Sequence, residues 1–190
     1  MNTQTAAVYS LIRPRTIWAE AVLLAGFNAI LVLCSYMAIS LPFSPVPITG
    51  QTFGVLLVAM ALGRVRGTAV VMAYLVEGAL GMPVFAGGTA GFVKLFGPTG
   101  GYLLGFPLAA YAVGYLADAG WDKSYFKSVV AMTVGTAIIF VCGLAWLSRI
   151  VPSGSVIAMG LTPFIAGAAI KVGLASVILP SLWKLIRPLR

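Results

Sequence analysis

The chain has 190 residues, 61% of them hydrophobic and only 8% charged, with a formal net charge of +8. Soluble domains carry about 25% charged residues, and a fold of this size has too little interior to hide so much apolar surface. Composition therefore excludes a soluble domain and makes the bilayer the solvent, where backbone groups pair internally in helices or closed barrels.

Barrel strands alternate apolar and polar residues, whereas this chain carries continuous apolar runs. Glu20 and Arg64 are separated by 43 residues without a charge, and further charge-free runs cover 95–117, 128–148 and 150–170. The reading is an all-α integral membrane protein, one transmembrane domain over 1–190. The cations flank the apolar runs instead of lining a face, so they read as topology signals and not as a nucleic-acid surface. With no His and four carboxylates, no transition-metal site or other cofactor is expected. Cys34 and Cys142 sit inside apolar runs and read as buried, inert thiols.

A spanning helix needs about 20 apolar residues. The first predicted span runs from near Ile17 to Ile39, behind Arg13-Pro14-Arg15. Pro42, Pro45 and Pro47 then break helical structure. Thr49–Leu62 and Thr68–Leu80 form a second and third span, both short, parted by Gly63-Arg64-Val65-Arg66-Gly67. Leu80–Tyr102 is too rich in Gly and Pro for a plain helix. It also carries Phe85, Phe92, Phe96 and Tyr102, so it reads as a folded loop and not a linker. Three more spans follow at Gly101–Ala117, Tyr125–Ile150 and Pro163–Ile186, the last weakened near Pro180.

Six spans put both termini on one side. That side collects Arg13, Arg15, Arg64, Arg66, Lys123, Lys127, Lys184, Arg187 and Arg190, nine of the twelve cations. The positive-inside rule makes it the cytoplasm. The Pro-rich link, the Gly-rich loop and Pro152–Thr162 then lie outside, where they can roof one cavity.

Lys171 falls inside the sixth span, and a cation there marks a functional site by default. It reads as a donor to a ligand oxygen, against a lysine snorkelling to the interface. Glu77, one turn from the end of the third span, either accepts from a ligand N–H or closes a structural ion pair. Lys94 is the only charge in the Gly-rich loop and faces either an anionic tail or water. Gln51, at the start of the second span, binds ligand or caps its helix. Ala21, Ala25 and Ala29 recur every four residues beside Gly26, a small-residue spacing that admits another helix. The phosphate-binding Gly-x-x-x-x-Gly-Lys-Ser/Thr loop is absent, as are Ser/His and Cys/His pairs, so neither P-loop ATP binding nor covalent catalysis is expected. The chain has a pocket and a topology but no engine.

Three stretches carry a resemblance. Pro45-Val-Pro-Ile-Thr-Gly-Gln-Thr-Phe-Gly54, Gly81-Met-Pro-Val-Phe-Ala-Gly-Gly88 and Phe96-Gly-Pro-Thr-Gly-Gly-Tyr-Leu-Leu-Gly-Phe106, in this order, resemble the BioY family, the biotin-binding S components of energy-coupling factor (ECF) transporters. The resemblance implies a six-helix S-component fold in the bacterial cell membrane and high-affinity biotin capture from outside. It implies as partners a transmembrane coupling (T) protein and ABC-type ATPases, which supply the ATP hydrolysis this chain lacks. It implies that Ala21-Val-Leu-Leu-Ala25, with Ala29, meets the coupling protein, and that the S component topples to carry its pocket across. The family's sixth helix typically begins Pro-Phe-Ile-Pro-Gly-Asp-Leu-Ile-Lys; here Pro163-Phe-Ile-Ala-Gly-Ala-Ala-Ile-Lys171 keeps the lysine and has Ala168 for the aspartate. The expected roles are then Lys171 on the ureido carbonyl and Glu77 or Gln51 accepting from its N–H groups. Phe85, Phe92 and Tyr102 take the ring system. Lys94, or backbone N–H groups over Gly87, Gly88 and Thr89, take the carboxylate. The rival readings are a stand-alone ion-coupled vitamin carrier and an intramembrane lipid enzyme, the second lacking a nucleophile or paired acids.

Overall fold

In the computed structural model, Pro14 and residues 16–186 are described; Arg13, Arg15, Arg187 and Arg190 lie outside them. The described chain is mostly helical. Helix α1 (Ile17–Tyr36) is unbroken because it contains no Pro and one Gly, and Thr16 caps its start by accepting from Ala19 N at 3.2 Å. The Pro-rich link is not a mere helix breaker. It forms a two-stranded antiparallel hairpin, β1 (Ala38–Leu41) and β2 (Ser44–Thr49), joined through Pro42 and Phe43. The chain is mostly helical as expected, and this short hairpin is the departure from that expectation. A two-stranded ribbon leaves each strand an outer edge, so Pro45 and Pro47 fit where a central strand would reject them.

Helix α2 (Gln51–Ala79) is helical except at Gly63, whose φ of 79° and ψ of −176° belong to a region open essentially to glycine alone. Straight, it would hold Gln51 and Tyr74 about 35 Å apart. Instead Gln51 Nε2 donates to Tyr74 Oη at 2.6 Å, and a Cβ on Gly67 would lie 2.7 Å from Ala59 Cα. The two arms therefore fold back on each other about Gly63. The five-residue break expected at 63–67 is a one-residue reversal, and the second arm begins at Arg64. Gly114 on the next helix fits against this reversal, where a Cβ would come within 2.6 Å of Arg64 Cα.

The Gly-rich segment after Ala79 is an ordered loop with short helical turns at Ala86–Gly88 and Phe92–Leu95. Phe85 anchors it: the ring is buried over Gly78 and meets Tyr74 edge-on, with centroids 5.6 Å apart. Tyr36 Oη donates to Pro83 O at 2.6 Å and Ser35 Oγ to Val84 O, tying the loop to the end of α1. Helices α3 (Gly100–Asp118), α4 (Tyr125–Leu147), the short α5 (Val156–Gly160) and α6 (Ile165–Ile186) complete the chain, α6 continuing through Pro180. The core lies between α2, α3 and α4, around Met60, Tyr74, Phe106 and Met132. Helix α1 is peripheral, with Leu31 and Ser35 its buried residues. Among the described residues, five helical stretches are long and apolar enough to cross a membrane, with α2 counted as one.

Candidate ligand-binding site

Two cavities meet beneath the hairpin. The inner one is bounded by β2, the first arm of α2, α3, α4 and α6. Its wall is mainly apolar, with Leu56, Phe106, Ile139, Phe140 and Phe164 at its core-facing side. The outer one lies between the hairpin, the Gly-rich loop and the start of α3. Pro47, Gln51, Thr99 and Leu103 line both, so the two are halves of one bent site. An apolar site with a few placed polar groups is the usual form of a small-molecule pocket.

Lys171 lines the inner cavity. Its Nζ donates to the Thr49 carbonyl oxygen and, at 3.2 Å, to Thr52 Oγ1. Those two bonds hold an ammonium in a part-buried site, and three donor hydrogens leave one for a ligand. The fold supplies this geometry because the reversal at β2–Gly50 places the Thr49 carbonyl across from α6. Gln51 is buried, its Nε2 given to Tyr74 Oη while its Oε1 accepts from Thr49 Oγ1 at 3.1 Å. Thr49 Oγ1, at 3.3 Å, accepts from the Gln51 backbone N–H, so Gln51 does not itself cap the helix. Tyr102 stands in the inner cavity wall and donates to Gly160 O at 2.8 Å. Ala168 lies on the same wall as Lys171, and no carboxylate lines either cavity.

Phe85, Gly87, Thr89 and Lys94 line the outer cavity. Gly88 lies between two of them but packs under the Tyr36 ring. Phe92 lines neither cavity; it is 60% exposed and rests on Phe96, with centroids 5.1 Å apart. Glu77 lines neither. Its Oε1 accepts from Asn28 Nδ2 at 2.6 Å, which fastens α1 to the second arm of α2. Ala21, Ala25 and Ala29 share the exposed face of α1, away from both cavities. Reading the sequence missed Thr49 and Thr52, although both flank Gln51 within a motif that drew attention. It also missed Thr136, one hydroxyl in a long apolar run, which reaches the inner cavity on the same face of α4 as Met132 and Phe140.

The model of the BioY family matches residues 3–188. The chain is 39% identical over 160 residues to the biotin transporter BioY of Thermotoga maritima, covering 84% of this chain and 92% of that one. It is 33% identical over 168 residues to the biotin transporter BioY of Rhizobium etli, covering 84% and 90%. A crystal structure of the S-component for biotin from an ECF-type ABC transporter aligns with a TM-score of 0.78 at 28% identity, covering 90% of this chain and 95% of that one.

Proposed function

The chain belongs to the BioY family, and from that premise we propose that it captures biotin as the membrane S component of an ECF importer. The observation that carries this reading is the bent site with one lysine in each half, Lys171 inside and Lys94 at the loop. Biotin has matching parts: a compact bicyclic head with a urea carbonyl, and a flexible tail ending in a carboxylate. The head belongs in the inner cavity, its carbonyl on Lys171 and one N–H on the remaining lone pair of Gln51 Oε1. Tyr102 packs beside the ring system. The tail bends past Thr99 into the outer cavity, along Phe85, toward Lys94 and the backbone N–H groups over Gly87–Thr89. Glu77 is left out of this set because it lines neither cavity, its Oε1 accepting from Asn28 Nδ2 on α1.

In this reading the arms of α2 cross the membrane separately, giving six spans and cytoplasmic termini. At about 18 Å and 24 Å the arms are short for a core of about 30 Å. The hairpin and Gly-rich loop complete them on the outer side. Arg64 and Arg66 at the reversal, with Lys123, Lys127 and Lys184, support a cytoplasmic placement of that end. The chain hydrolyses no ATP itself; a transmembrane coupling protein and ABC-type ATPases drive release, the former meeting Ala21, Ala25 and Ala29.

Equilibrium binding of radiolabelled biotin to the purified chain, competed by other vitamins, tests the assignment. Losing a charged hydrogen bond in a dry site costs about 1.5–3 kcal/mol, so Lys171→Ala weakens biotin roughly 10- to 150-fold. Unchanged affinity in that variant removes the central assignment.

A further inference from the structure

A cyclic urea carries one acceptor between two N–H donors, and a buried N–H left without a partner weakens binding severely. The proposed contacts of Lys171 and Gln51 satisfy the carbonyl and one donor. No carboxylate lines the site, and at Ala168 the wall beside Lys171 offers no polar side-chain atom. The second N–H therefore needs a neutral acceptor.

We infer that Thr136 is that acceptor and a specificity-determining residue of the site; this rests on the biotin reading above. Thr136 Oγ1 donates its one proton to Met132 O at 2.8 Å, within α4. The hydroxyl in the cavity wall is thereby fixed as an acceptor, with its lone pairs the only capacity left. The residues around it on that wall, Met132, Ile139 and Phe140, offer no competing oxygen or nitrogen. Tyr102, the other hydroxyl on the core side, is likewise committed as a donor to Gly160 O. A hydroxyl with its proton committed, in a cavity that also holds an ammonium, matches a neutral urea, and rejects any head group presenting a hydrogen-bond acceptor or an N-alkyl group where the N–H belongs.

The test compares Thr136→Val, which keeps the β-branched shape and removes the oxygen, with Thr136→Ser, which keeps the oxygen and its bond to Met132. Each is titrated with biotin and with the two ureido N-methyl isomers of biotin. Thr136→Val is expected to bind biotin about tenfold more weakly or worse, and Thr136→Ser within about threefold of the unsubstituted chain. One of the N-methyl isomers, having lost the N–H that Thr136 accepts, binds the unsubstituted chain and Thr136→Val equally. A Thr136→Val protein that binds biotin like the unsubstituted chain overturns the inference and leaves the biotin reading standing. If the unsubstituted chain itself binds no biotin, the reading of function falls, and this inference with it.

Discussion

The two halves of the site are built in opposite ways. The inner cavity is walled by side chains projecting from helices, its polar atoms are held by internal bonds, and its cation is part-buried. The outer cavity is walled largely by residues of the hairpin and the Gly-rich loop, and its cation is exposed. An interaction made in a dry, rigid site is worth far more than the same one at a wet surface. Under the proposed function, the difference means that identity is read inside and that the tail is only steered outside. Phe85 joins the two halves, since the residue lines the outer cavity while its ring presses on Tyr74, and through Tyr74 reaches Gln51 at the border.

The largest effect is expected where that joint is broken. Phe85 is 2% exposed, and truncating a buried Phe costs about 3–5 kcal/mol. Phe85→Ala should lower the thermal midpoint of the purified protein by roughly 6–20 °C and weaken biotin through both halves, by freeing Tyr74 and the loop together. A variant that keeps its midpoint and its affinity would make the two cavities independent. A smaller effect is expected at Lys94. Exposed ion pairs contribute about 0.2–1 kcal/mol, so Lys94→Gln should weaken biotin by at most about fivefold. The loss should shrink as salt is raised and vanish for biotin methyl ester, which lacks the carboxylate. A loss as large as that of Lys171→Ala would mean that the outer half reads identity after all.

What was legible in the sequence follows the same physical division. Lys171 was legible because a charge inside an apolar run is costly wherever the chain takes it. The Gly-rich loop was legible as a folded element because four aromatic residues in a glycine-rich segment need something to pack on. The hairpin was not, because Pro45 and Pro47 argue against strand and helix alike unless one knows that the ribbon has open edges. The fold-back of α2 was half legible: the glycines and arginines marked a break, but only the backbone shows that Gly63 alone makes it. Glu77 stood out as an intramembrane acid. Its partner Asn28, 49 residues earlier, follows from how α1 lies against α2, and no local pattern encodes that. Thr136 is the extreme case, since a threonine bonding back to its own helix is ordinary and only the cavity beside it gives it meaning.

The smallest effect on binding is expected outside both cavities, on α1. Ala25 is exposed, and a Cβ on the neighbouring Gly26 would meet nothing within 4 Å. A larger side chain there therefore displaces nothing within this chain. Ala25→Leu should leave the biotin affinity and the thermal midpoint of the isolated protein unchanged. If small residues on α1 let a coupling helix approach closely, the same variant should lose co-purification with the coupling protein and lose ATP-driven uptake in proteoliposomes. Reduced affinity in the isolated chain would instead place α1 within the binding unit, tied through Ser35 and Tyr36 to the loop. The site would then have three parts and not two. Retained uptake would move the coupling surface off this face of α1 while leaving the two cavities as they stand.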